Sequence, residues 1–443
     1  MHRFRFLILF FSFVLVLHSC SNTEDKFVRI NNSHFEVNGK PYYFVGTNFW
    51  YGAILASQGE GGDRERLVQE LDYLDSIGIN NLRILIGADG QDGTLTKVMP
   101  TLQKLPGVYN DTIFDGLDFL LAEMGKREMY AVLYFTNSWE WSGGYGQYLE
   151  WTGHGVAPIP SKDGWNTYID YVSQYATCDE CTELLKKHIT NVVNRVNSYT
   201  GEKYIDDPTI FSWQICNEPH AFGDENKEAF ENWMTEVAKH IRSLDPNHLI
   251  SSGSEGIAGS EFDKSLYERI HTKSDIDYFT LHIWPLNWGW VDGSNMKDSL
   301  ELCIERTNKY IAEHIELGVK HQRPVVIEEF GMPRDGRKYQ LDVPTECRDR
   351  YMENVFEQVV LSSRNQSMTS YQHQHSRNQG VLAGCNFWAW GGLGRPHSEH
   401  IYWQPGDAYL GDPAQEEQGL NSVFDTDSTI QLILKYTNKI VKE

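Results

Sequence analysis

Two apolar runs in this 443-residue chain end on carboxylates. Residues 211–220, FSWQICNEPH, stay apolar as far as Cys216, then present Asn217 and Glu218, with Pro219 fixing the exit. Residues 325–331, VVIEEFG, end in the same way on Glu328 and Glu329. Carboxyls on two different elements are the minimum for breaking a glycosidic bond. One must stay protonated to assist the leaving oxygen, and the other must stay ionised to attack or to activate water. Further apolar runs end on Asn48, Arg83, Asn137, Glu255, His282 with Trp284, and Trp388 with Trp390. Of the 13 tryptophans, Trp50, Trp139, Trp141, Trp151, Trp284, Trp288, Trp290, Trp388, Trp390 and Trp403 fall at or just after such ends. Only Trp165, Trp213 and Trp233 fall elsewhere. Core aromatics would spread over all elements alike, whereas rings gathered at one rim suit stacking on the flat apolar faces of sugars.

Something must bring these ends together. Eight short, nearly continuous apolar runs (PYYFVGTN, NNLRILIG, YAVLYFTN, IFSWQICNEP, LISSGSEG, DYFTLHIWP, PVVIEEFG and GCNFWAWGG) read as strands buried on both faces. Helical patterns alternate with them, at about 63–77, 114–126, 180–198, 226–244, 297–317, 345–361 and 428–441. Strands alternating with helices in this number predict a closed (β/α)8 TIM barrel, whose catalytic groups gather at the carboxyl ends of the strands. An open doubly wound sheet is disfavoured, because GTNFWYG stands after the first strand where a glycine-rich phosphate loop would be. Asn38-Gly39 predicts an N-terminal hairpin, and residues 391–429 read as a long active-site loop after the eighth strand.

In this order, WQICNEP, VVIEEFG, NNLRILI, LHIWP and CNFWAW resemble glycoside hydrolase family 5, and the likeness covers the chain beyond Lys26. FVGTNFWYGA, TNSWEWSGGYGQYLEW and GDPAQEEQGLNSVFDTDST resemble the branch that cleaves β-1,4-linked mannans. The resemblance implies a retaining double displacement, with Glu218 as acid/base and Glu329, next to Phe-Gly, as nucleophile. It implies further that Arg83 holds the nucleophile ionised, that Asn217 meets the sugar 2-hydroxyl, and that His282 lies near nucleophile and substrate. Trp388 matches the platform under the sugar, with Trp390 a weaker candidate. Trp284 stands where many relatives have a tyrosine that touches the nucleophile, which leaves that hydrogen bond to an indole N–H. Asn137 and Trp139 complete the expected substrate-binding set. No metal and no cofactor are implied. An endo-acting β-1,4-mannanase is the first expectation and an exo-acting β-mannosidase the alternative, since the loops at 138–155 and 395–413 could wall off one end of a cleft. A lipid-anchored glycan-binding protein without catalysis is the rival from another class, and the two intact carboxylates speak against it.

The formal charge of −22 argues against nucleic acid or an anionic membrane surface as partner and suits a neutral ligand, β-mannan or its oligosaccharides. A monomer is expected. Arg3 and Arg5 followed by an apolar run from Phe6 to Leu17 read as an export signal, too short to span a bilayer. Its end, LHSC, resembles a bacterial lipoprotein signal. The expected organisation is a signal over 1–19, a lipid-bearing Cys20 with a tether to residue 26, and one catalytic domain over 27–443, anchored in a bacterial cell envelope. Among the remaining cysteines, Cys178 and Cys181 are close enough for a local disulfide, while Cys216 and Cys385 sit in apolar runs as inert thiols.

Overall fold

The computed structural model describes residues 26–364 and 380–441; the leader, Cys20 and most of the tether lie outside them. Eight strands form the barrel: β1 (Phe44–Asn48), β2 (Asn81–Leu85), β3 (Tyr130–Tyr134), β4 (Ile210–Gln214), β5 (Leu249–Ser251), β6 (Phe279–Ile283), β7 (Val325–Phe330) and β8 (Leu382–Phe387). They pair in the order β5-β4-β3-β2-β1-β8-β7-β6, and every pairing is parallel. Between β5 and β6 the ladder gives way to single bonds, Asp277 N to Ile250 O at 2.9 Å and His282 N to Glu255 O at 3.3 Å. The barrel is therefore nearly closed. Apart from Tyr130 at the start of β3, every strand residue is buried, as apolar runs covered on both faces require.

Around it run α1 (Arg64–Ser76), α2 (Asp111–Gly125), α3 (Asp179–Val193), α4 (Lys227–Leu244), α5 (Lys264–Lys273), α6 (Met296–His321), α7 (Glu346–Ser363) and α8 (Thr429–Val441). In α1 the stripe Leu67, Leu71 and Leu74 is buried against the barrel, and Asp63 caps the start by accepting from Arg66 N at 2.9 Å. α5 escaped the sequence pattern. It is short and mostly polar, and only Leu266, Tyr267, Ile270 and His271 turn inward.

The N-terminal hairpin expected at Asn38-Gly39 is there, widened by a third strand: Arg29–Asn31, His34–Val37 and Lys40–Tyr42 form one antiparallel sheet. Its Phe35 enters the bottom of the barrel, where it packs in a cluster with Phe44, Val132, Phe211, Tyr278 and Val326. The ring lies 4.9 Å from Phe211 and 5.3 Å from Tyr278, centroid to centroid. This end is sealed by hydrocarbon, which leaves the opposite rim for chemistry.

Two expectations are corrected. Cys178 and Cys181 are free thiols: Cys178 is the N-cap of α3, its sulfur accepting from Cys181 N at 3.2 Å, so the spacing serves a helix start and not a bridge. Trp390 is fully buried away from the rim and donates its indole N–H to Glu70 at 2.8 Å, which makes it a packing residue.

Candidate active site

Glu218 lies just past the end of β4 and Glu329 near the end of β7. They are 8% and 3% exposed. One oxygen of each, with one ring nitrogen of His282, all lie within 4.8 Å of one another. So close an approach matches the spacing at which the second carboxyl attacks directly. Inverting sites hold their carboxyls roughly 6.5–9.5 Å apart to admit a water.

Glu218 adopts a left-handed backbone, φ 48°, uncommon for a residue with a side chain. Its N–H donates to Gly253 O at 2.9 Å, and its carbonyl accepts from the Ser138 hydroxyl. Neighbouring loops thus fix the turn that aims the carboxyl. On that carboxyl, Oε2 accepts from the Trp139 indole at 2.5 Å, and Oε1 lies 2.8 Å from His282 Nδ1 and 3.2 Å from Trp284 Nε1.

Glu329 is paired with Arg83, which is fully buried and donates with every arm of its fork. Nη1 meets Glu329 Oε1 and, at 3.1 Å, Asn48 Oδ1; Nε reaches Gln214 Oε1 at 2.8 Å and Nη2 reaches Asn217 Oδ1 at 2.8 Å. Burial works against the guanidinium charge, but Glu329 and Glu328 more than offset it. Asn217 passes the order on by donating to Asn137 Oδ1 at 3.0 Å, and Asn137 donates to Ser142 Oγ at 3.0 Å. The other oxygen of Glu329 accepts from Trp284 Nε1 at 3.2 Å, so this one indole spans both carboxyls. Glu328 turns elsewhere, accepting from Gln214 at 2.6 Å and from the Tyr278 hydroxyl at 3.1 Å. Burial pushes its carboxyl up to about 7.

His282 is buried, and desolvation lowers it to about 4, so its imidazole is neutral at ordinary pH. It lies near the nucleophile, 3.5 Å from Glu329, as the sequence led one to expect, and nearer still to Glu218, at 2.8 Å. Trp388 stands at the rim with its ring centroid 5.9 Å from Trp284 and 6.3 Å from Trp141, each edge to face.

Four residues of this region escaped the sequence reading or its assignments. His220 donates to Glu255 at 2.7 Å and faces Glu261 at 3.8 Å. Burial opposes its charge, yet the two carboxylates raise it to about 10, so it is an imidazolium. Gln214 joins Arg83 to Glu328; its signal lay in the two-residue spacing of Ser212 and Gln214, polar positions inside an apolar strand. Glu416, in the loop after β8, is raised to about 8 by burial, then by Asp412, with Glu218 adding to the effect. Trp165 packs on Trp139 from a loop helix (Trp165–Val172) far from any strand end.

Among the described residues, two groups of side chains have the donors to hold a cation: Glu218, His282 and Glu329, and on the loop after β8, His397, His400 and Asp407. In the first, Arg83 and two indole N–H groups already occupy the carboxylate oxygens, a setting that repels a cation.

Comparison with known proteins agrees with this geometry. A model described as glycoside hydrolase family 5 β-mannosidase-like matches residues 25–443. Mannan endo-1,4-beta-mannosidase 1 of Solanum lycopersicum is 31% identical over 389 residues, 85% of this chain and 86% of the relative. Putative mannan endo-1,4-beta-mannosidase 9 of Oryza sativa subsp. japonica is 30% identical over 373 residues, 82% and 81% of the two chains. The crystal structure of a glycoside hydrolase family 5 mannosidase from Rhizomucor miehei superposes with a TM-score of 0.83 at 33% identity, covering 95% of this chain and 99% of the other. An endo-1,4-beta-mannanase from the same organism, at 22% identity and TM-score 0.64, shares the barrel fold. With the family match running over nearly the whole chain and two buried glutamates at the ends of β4 and β7, this chain belongs to the glycoside hydrolase family 5 β-mannosidase-like family and is a glycosidase.

Proposed function

We propose that the chain hydrolyses β-1,4-mannosidic bonds of mannans and manno-oligosaccharides by retaining double displacement, with Glu329 as nucleophile and Glu218 as acid/base. The observation that carries this is the close pair of buried carboxyls, of which only Glu329 is held by a guanidinium. Burial and the charge of Glu218 raise Glu329, so two negative charges side by side in this buried pair are disfavoured. A proton on Glu329 would strand the buried charge of Arg83, whereas a proton on Glu218 leaves that ion pair whole. Neutral His282 can then accept from the Glu218 hydroxyl, and Trp139 can donate to its other oxygen.

In the first step Glu329 attacks the anomeric carbon as Glu218 passes its proton to the leaving oxygen. The glycosyl-enzyme is then opened by water, which Glu218, now a carboxylate, deprotonates. The Arg83 fork holds Glu329 ionised and fixes Asn217 for the 2-hydroxyl. Trp284 donates to Glu329 Oε2, the oxygen that Arg83 does not hold. Trp388 offers the ring on which the sugar at the cleavage point stacks.

Endo action is the first reading, in keeping with the named activity of the plant relatives. Exo action is the second reading: the charge of Glu218 helps raise buried Glu416 on the loop after β8, which puts that loop within electrostatic reach of the acid/base carboxyl. Early products from mannohexaose labelled at its reducing end separate the two. Internal fragments of several lengths mean endo action; mannose with a ladder shortened by one unit means exo action. An uncleaved mannohexaose beside a cleaved cellohexaose would refute the choice of sugar.

The leader supports export with a lipid on Cys20, so a Cys20→Ser variant is expected to leave the membrane fraction when the chain is made in a bacterium that processes lipoproteins. Retention there would refute the anchor.

A further inference from the structure

Among the described residues, Trp165 is the one tryptophan left exposed, at 52%. A large ring in water is informative when it continues a built surface. Trp165 does so. Its ring stands 5.8 Å from Trp139, edge to face, and Trp139 is the residue whose indole N–H binds Glu218. Trp139 also meets Phe222 at 5.6 Å and the His220 ring at 5.5 Å, so an aromatic tract leads outward from the carboxyl of Glu218. The tract is held in place. Tyr168, one turn along the same loop helix, donates its hydroxyl to Ser138 O at 2.7 Å, and Phe222 N donates to Glu261 at 2.9 Å. Phe262, beside Glu261 in sequence, is another ring left exposed, at 81%.

Glu218, read as the acid, faces the oxygen of the departing sugar, so whatever extends outward from it lies on the leaving-group side. Trp139 can flank the first departing sugar. Trp165 lies further out, its ring 5.8 Å from Trp139 and 6.2 Å from Tyr168, each edge to face, and half of it open to solvent.

We propose that Trp165 is the stacking platform for the second sugar on the leaving-group side, so that the enzyme selects substrates with at least two sugars beyond the bond it cuts. This rests on the assignment of Glu218 as acid/base and of mannosides as substrate. A ring exposed by default would leave chain-length preference untouched, whereas a platform acts only on substrates long enough to reach it.

The test is kcat/KM on mannobiose and mannotriose for the wild type, Trp165→Ala and Trp165→Tyr. The Ala variant is expected to lower the mannotriose-to-mannobiose ratio about tenfold, mainly through KM, and the Tyr variant to restore most of it, as loss and recovery of one ring contact predict. An unchanged ratio in Trp165→Ala, or a ratio that Trp165→Tyr does not recover, would overturn the platform. A wild type that cleaves neither these two nor mannohexaose would instead overturn the substrate reading on which it stands.

Discussion

At the scale of single residues, the two glutamates have unequal surroundings, and this inequality predicts unequal variants. Glu218→Gln removes the proposed proton donor but leaves the proposed nucleophile. Turnover of manno-oligosaccharides is expected to fall by about 10³-fold, while an aryl mannoside, whose leaving group needs little protonation, loses much less in the first step. Equal losses on the two substrates would contradict the assignment. Arg83 governs the other partner. A Lys in its place keeps the charge but loses the fork, which weakens the hold on Glu329 and raises its affinity for a proton. The acid limb of kcat/KM against pH should therefore move to higher pH, and a limb that stays or moves down would refute that role. His220, raised to about 10 by its two carboxylates after burial is overcome, contributes stability that is complete below about 6.5 and lost as pH rises through about 10. The difference in Tm between the wild type and His220→Gln should thus shrink between those limits.

Elements explain which of this was readable in the sequence. Each barrel strand and seven of its helices stood out because burial on both faces leaves a continuous apolar run and burial on one face leaves a stripe. α5 did not, being short and polar. The positions of Arg83 and Glu329 follow from strand ends, and the roles proposed for them from the family resemblance, but the place of His220 does not, because its carboxylate partners come from other loops. Trp165 was hidden for the same reason: its partner Trp139 sits at a strand end, whereas Trp165 itself opens a loop helix. Adjacent positions on β7 make a further prediction. Glu328, lodged between Gln214 and Tyr278 and raised by burial to about 7, lends stability that is complete below about 4.5 and fades as pH rises through about 7. Glu328→Gln should flatten the fall in Tm across that window; a variant that tracks the wild type would show that Glu328 does not titrate there.

Over the whole molecule, the two barrel ends divide stability from chemistry. Phe35 and its neighbours close the bottom with hydrocarbon, far from the glutamates, whereas the rim holds several buried acids that must be neutralised or paired. Phe35→Ala should cost about 3–5 kcal/mol of unfolding free energy in denaturant titration, as a large core ring replaced by a cavity does, with kcat nearly unaltered at a temperature where the variant is folded. A large loss of kcat in the folded variant would mean that the two ends are coupled.

The most direct test of the central claim is to trap the glycosyl-enzyme with a 2-deoxy-2-fluoro-β-mannosyl fluoride, then find the labelled residue by digestion and mass spectrometry. The account predicts one mannosyl adduct per chain, on Glu329, and none in Glu329→Gln. A label on Glu328 or elsewhere, or turnover with inversion and no adduct, would contradict it.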